Sequence, residues 1–69
     1  MEFDLKLIRK RKGLTRKELA SKSGVHEMTI RALETGINNP YEAKVNTLLC
    51  LAKALGCRVR DFYPSEKVF

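Results

Sequence analysis

The clearest pattern of apolar and polar positions lies in the first half of the chain, and it predicts two short helices separated by a turn. Thr15 and Glu18 have the spacing of a capping box, in which hydroxyl and carboxylate satisfy backbone donors, so a helix begins directly after Thr15. Gly24 supplies the left-handed backbone conformation that ends this helix. A second helix begins at about Glu27, and Gly36 marks its end.

The apolar positions of these two helices indicate how they cross. Ala20 is small enough for the two helix axes to approach closely, and Ile30 and Leu33 form the inward stripe of the second helix. This is the spacing of a helix-turn-helix. At about 100° per residue, Glu27 lies to the side of the stripe, and His26 sits at the cap or the first position. The outward face consists of Met28, Arg31, Ala32 and Thr35.

Three further segments complete an all-helical pattern. Residues 3–12 have Leu5 and Ile8 at helical spacing and are closed by Gly13. Residues 58–63 are expected to form a short fifth helix that stops before Pro64. A fourth helix is predicted over residues 45–55, and its inward stripe is Leu48, Leu51, Ala52 and Leu55. Cys50 therefore lies on the outer side of this helix. Cys57 is expected to pack into the core with Val59 and Phe62.

Glu34 is a charged residue on the inward shoulder of the second predicted helix, about 70° from the inward direction. A carboxylate that leans inward needs a partner. Arg9 borders the apolar stripe of the first segment, whereas Lys10 and Arg11 are expected in solvent. We therefore predict an Arg9–Glu34 ion pair between the two helices. The alternative is that both are ordinary surface charges.

At this point the chain resembles a known family. The stretch LKLIRKRKGLTRKELASKSGVHEMTIRALETGINNP, with LAKALG further on, is similar to the Cro/C1-type helix-turn-helix domains of phage repressors and small bacterial regulators. The resemblance covers residues 5–63. It implies a compact five-helix, lambda-repressor-like domain over residues 1–63, with a short tail at 64–69 and the third helix in the major groove of DNA.

The same resemblance assigns roles to individual residues. Arg9 and Glu34 match the internal ion pair of the family. The positions that contact bases fall on His26, Glu27, Met28, Arg31 and Ala32. The positions that contact phosphate fall on Arg16, Thr35, Asn38 and Asn39, and we add Lys17 from the basic segment around Arg16. Arg16 stands where many members have Gln, and the connection after Pro40 carries about three extra residues within 41–44, so loop contacts transfer poorly.

The residue types on the outward face suit base recognition. Arg31 can donate two hydrogen bonds to guanine, Glu27 can accept from cytosine, and Met28 or Ala32 can touch a thymine methyl group. Glu27 beside phosphates also lowers general affinity and so discriminates against wrong sequences. Each residue has a plainer interpretation, because any exposed helix carries some charge and a lone histidine such as His26 is usually a cap or a solvated ring.

Composition favours a polyanionic partner. The chain has 69 residues with 14 Lys+Arg against 8 Asp+Glu, a formal net charge of +6. Its first 22 residues hold eight basic and three acidic side chains. Aromatic residues do not interleave with the basic ones as they do in proteins that stack single-stranded bases. No signal peptide or long apolar run is recognisable, and two cysteines without a secretory signature indicate a reducing cytoplasm.

These observations predict a cytoplasmic transcriptional regulator that binds double-stranded DNA as a homodimer, with repression by promoter occlusion. The alternative is an interaction module, such as the antitoxin of a toxin–antitoxin pair that also regulates its own operon. We expect no enzymatic activity and no cofactor, because nucleophile–base arrangements and glycine-rich phosphate loops are not recognisable. A zinc site is not expected, since two cysteines and a distant His26 lack the ligand spacing.

Overall fold

A computed structural model describes residues 3–37, 39 and 43–63 of the chain. These residues form four α-helices and one 3-10 helix, and they contain no strand. The helices are α1 (Leu5–Arg11), α2 (Arg16–Ser23), α3 (Glu27–Thr35) and α4 (Val45–Leu55), followed by the 3-10 helix Val59–Phe62. The predicted tail over 64–69 and residues 41 and 42 of the lengthened loop lie outside the described residues.

The start of α2 is the predicted capping box. The Thr15 hydroxyl accepts a hydrogen bond from the Glu18 backbone N–H at 3.0 Å, and the Glu18 carboxylate accepts one from the Thr15 N–H at 2.8 Å. The hydrogen bond from the Thr15 backbone N–H, and after it the Thr15 side chain, lower the pKa of the Glu18 carboxyl below its ordinary value. Both partners satisfy donors that the first turn of a helix leaves open, so the sequence alone defines this boundary.

The first helix is shorter than the predicted span of residues 3–12. Phe3 lies before α1, and its ring packs against Phe62 and Tyr63 with centroids 5.6 and 5.3 Å apart. The Asp4 N–H donates to the Phe62 carbonyl at 2.6 Å. These contacts with the end of the described chain hold residues 3 and 4 outside the helix.

The core lies where the inward faces of the four helices meet. α4 has the predicted bounds, and its predicted inward stripe is buried. Ile30 and Leu33 of α3 are buried as predicted, and Ala20 packs against the core. Among the residues that the structure describes, the buried apolar ones are Leu5, Leu19, Ile30, Leu33, Leu48, Leu51, Ala52, Leu55 and Phe62. This arrangement holds α2 and α3 against one another and leaves the other face of α3 outside.

The predicted fifth helix over residues 58–63 is wrong in type and length. The structure has four residues of 3-10 helix there, Val59–Phe62. The Asp61 carboxylate accepts from the Arg58 N–H at 3.0 Å at its start. Phe62 is fully buried, and Cys57 and Val59, which are half-buried, pack on the core. The path of this segment therefore follows the surface of the core that these side chains cover. An α-helix of this length would add few hydrogen bonds for the residues that it fixes.

Candidate nucleic-acid interface

The turn that joins α2 to α3 fixes the direction of α3. Gly24 ends α2 with φ at 76°, and its N–H donates to the Ala20 carbonyl at 2.9 Å. His26 is the N-cap of α3, with its Nδ1 accepting from the Met28 N–H at 3.3 Å. Gly36, also at positive φ, ends α3. Both ends of α3 are therefore defined by local hydrogen bonds and glycine geometry.

The outer face of α3 is almost the one that the helical wheel predicts. Met28 is 71% exposed, and Glu27, Arg31 and Thr35 are also exposed, as is His26 at the cap. Ala32 is the exception, because it is half-buried. The described interface thus presents a cation, an anion and a flexible apolar side chain on one short helix.

A buried ion pair joins α1 to α3. Arg9 Nε donates to Glu34 Oε2 at 2.7 Å, and Arg9 Nη2 donates to Glu34 Oε1 at 3.1 Å. Arg9 Nη1 donates to the Leu14 carbonyl at 2.8 Å. The side chains of Arg9 and Glu34 are 8% and 2% exposed. The plainer interpretation, two ordinary surface charges, is therefore wrong, and the bidentate geometry fixes the inward shoulder of α3.

Arg16 approaches the same carboxylate, a contact that sequence reasoning missed. Its Nε lies 3.9 Å from Glu34 Oε1, and its side chain is 38% exposed. Glu34 therefore stands between two guanidinium groups, one buried and one at the surface where α2 begins. Arg16 lies one turn before Leu19 and Ala20 on the inward side of α2, and this position is the signal that could have indicated the contact.

The other expected phosphate contacts have different surroundings. Lys17 is exposed in the first turn of α2. Thr35 is exposed, but its hydroxyl donates to the Arg31 carbonyl at 2.8 Å. Asn39 is exposed, whereas Asn38 lies outside the described residues. The structure thus leaves Lys17 and part of Arg16 as exposed cations at the start of α2.

The two cysteines, Cys50 and Cys57, have different surroundings. In residues 3–37, 39 and 43–63, no group of three His, Cys, Asp or Glu side chains could hold a metal ion. Cys50 is exposed and Cys57 is half-buried. Burial, and then the nearby Asp61 carboxylate, raises the pKa of the Cys57 thiol, with Lys12 opposing the shift. Cys57 therefore acts as a packing residue of the core's edge.

Comparison with known proteins agrees with this geometry. No curated protein matches the chain. Within the described part of the chain, no helix is long and apolar enough to cross a membrane. A family model described as helix-turn-helix matches residues 5–62, which include all four α-helices. The chain therefore belongs to the Cro/C1-type helix-turn-helix family, a family of DNA-binding regulators.

Proposed function

We propose that the chain is a sequence-specific regulator that places α3 in the major groove of double-stranded DNA and represses transcription by covering a promoter. The observation that carries the proposal is the exposed outer face of α3 on a helix whose inward shoulder is fixed by the Arg9–Glu34 pair. An α-helix with its side chains is about 10–12 Å in diameter, which suits a major groove about 12 Å wide.

Each exposed side chain of α3 has a distinct chemistry toward base edges. Arg31 supplies the paired donors that match guanine, and Glu27 supplies an acceptor for the cytosine amino group. Met28, exposed over most of its surface, suits the methyl group of thymine. Ala32 is half-buried and offers a smaller contact, while His26 adds a polar group at the helix start.

Phosphate contacts would come from the residues that surround α3. Lys17 and Arg16 lie at the start of α2, where the first helix of such a motif crosses the DNA backbone. A phosphate contact by the Thr35 hydroxyl as donor requires it to leave the Arg31 carbonyl. Asn38 and Asn39 would add contacts from the loop that follows α3. The surplus of basic residues in the first 22 positions favours approach to DNA from this side.

Selection of bound sites from a random DNA pool, followed by a salt titration, tests the proposal. We expect one motif to be enriched and the affinity to fall steeply with salt, because bound phosphates release counterions. If no motif is enriched and affinity is insensitive to salt, the proposal fails.

Two variants separate base recognition from phosphate binding. Arg31→Ala should weaken binding to the selected motif about 10- to 100-fold and relax the preference at one base pair. Lys17→Ala should weaken binding to all sequences alike and lower the slope of log affinity against log salt by about 1. Arg60→Ala on the 3-10 helix removes one exposed positive charge outside α2, α3 and α4 and serves as the matched control.

In this proposal the chain acts in the cytoplasm as a homodimer, because two recognition helices then read two half-sites one helical turn apart. Repression would follow when the bound dimer covers the promoter. Transcription in vitro from a promoter that contains the selected site provides the measurement. Transcript should fall as the site fills, and Arg31→Ala should shift this curve by the same factor as the binding curve. Increased transcript at full occupancy would reject repression while leaving DNA binding intact.

A further inference from the structure

The outer face of α4 differs from the outer faces of the other helices. Its exposed residues are Val45, Asn46, Leu49, Cys50 and Lys53, which we name the α4 strip. Val45 is 68% exposed and Leu49 is 49% exposed, and they lie one turn apart on the same side of the helix. The only charge of the strip is Lys53, in the last turn.

Exposed charge dominates the other three helices. The exposed residues of α1 include Lys6, Lys10 and Arg11, those of α2 include Lys17, Glu18 and Lys22, and those of α3 include Glu27 and Arg31. In α4, by contrast, the run from Val45 to Ala52 contains no charged residue. The α4 strip is therefore the helical surface with the least affinity for phosphate and the least repulsion toward another basic chain.

We propose that a second copy of this chain covers the α4 strip, with Leu49 of each copy close to the two-fold axis. The inference rests on the proposed function, because reading two half-sites requires a two-fold contact between copies. Two chains that each carry a net charge of +6 repel one another, so they associate most readily where charge is absent. The α4 strip satisfies this condition and adds exposed apolar area that association would remove from water.

The expected dimer is a weak one. A few large apolar side chains form a small contact, whereas stable interfaces bury about 800 Å² on each partner. Two adjacent half-sites on DNA supply the missing stability, because the second copy then binds at a high effective concentration. We therefore expect the copies to associate measurably in solution and strongly on a two-site DNA.

Leu49→Lys and Leu7→Lys form a matched pair of variants that tests the surface. Leu7 lies on α1 and is 47% exposed, nearly the same as Leu49, so both changes add one charge in place of a half-exposed leucine. Thermal melting by circular dichroism checks that both variants are folded. Sedimentation equilibrium over about a hundredfold range of concentration then measures the dimer dissociation constant. Leu49→Lys should raise this constant about 100-fold, and Leu7→Lys should leave it within about 3-fold of wild type.

DNA binding distinguishes the failure of this inference from the failure of the proposed function. On the selected motif, Leu49→Lys should lose about 100-fold in affinity for two half-sites and keep its affinity for a single half-site. A wild-type chain that stays monomeric both free and on two-site DNA, or a Leu49→Lys variant that dimerises normally, would overturn the α4 contact. Protection of the strip by a different protein with the chain itself monomeric would overturn it as well. If the wild-type chain dimerises, Leu49→Lys abolishes the dimer and the wild-type chain enriches no DNA motif, the α4 contact is supported and the proposed function is rejected.

Discussion

Glu34→Ala tests the ion pair on which the position of α3 depends. The change leaves the Arg9 guanidinium buried, with the Leu14 carbonyl as its remaining partner among the bonds described above. Removing one partner of a buried pair costs about 3–5 kcal/mol. A chain of 69 residues has a total stability of about 3–10 kcal/mol. The loss is therefore a large part of the whole, and it should lower the melting temperature by at least about 12 °C.

Thermal melting followed by circular dichroism measures this shift. Glu27→Ala removes an exposed carboxylate from the same helix and should cost less than about 1 kcal/mol, so it controls for the loss of one negative charge that has no buried partner. The double change Arg9→Met with Glu34→Leu should recover much of the stability, because apolar residues of similar size need no charged partner. A melting temperature within about 1 °C of wild type in Glu34→Ala would refute the reasoning.

Three further outcomes follow from local features. The pKa of the Glu18 carboxyl is lowered in the folded state, so the carboxylate stabilises the protein at pH values above the ordinary pKa of about 4.5. This stabilisation is lost as the pH falls through the lowered pKa of the folded state. The difference in melting temperature between wild type and Glu18→Gln should therefore shrink on acidification. Exposed Cys50 should react with iodoacetamide before half-buried Cys57, because the pKa of the Cys57 thiol is raised. Mass spectrometry of dilute protein treated with limiting iodoacetamide at pH 8 measures the order of alkylation. Equal rates at the two cysteines would contradict this expectation. A Cβ atom added at Gly24 meets nothing within 4 Å, so Gly24→Ala should lower the free energy of unfolding only by the left-handed backbone penalty of about 1–2 kcal/mol. Gly24→Asn should lower it less, because asparagine adopts this conformation more readily. Urea unfolding measures both values.

The elements that the sequence predicted well are those defined by neighbouring residues. The capping box of Thr15, the glycine at position 24 and the stripe of α4 each specify a boundary or a face within one or two helical turns. Local hydrogen bonds and helical periodicity are sufficient for such features. The partnership of Arg9 and Glu34 was also predictable, because an inward carboxylate requires a cation and Arg9 borders the inward stripe of α1.

The features that sequence reasoning missed depend on contacts between distant segments. Phe3 leaves α1 because its ring packs against Phe62 near the far end of the described chain. The segment before Tyr63 is a 3-10 helix because it must bring Phe62 into the core within four residues. Arg16 approaches Glu34 only through the crossing of α2 and α3. The spacing of residues within one helix does not specify these three arrangements, because each depends on how separate segments pack.

The cap at the start of α3 limits what His26 can recognise. Its Nδ1 accepts a hydrogen bond from the Met28 N–H, so in the neutral ring the hydrogen is assigned to Nε2. The outer nitrogen is then a donor only. It can approach the N7 atom of guanine or adenine, the O6 atom of guanine, the O4 atom of thymine or a phosphate oxygen, and it is mismatched to the amino group of cytosine. The hydrogen bond that begins the helix therefore also restricts the bases that this imidazole can accept as neighbours.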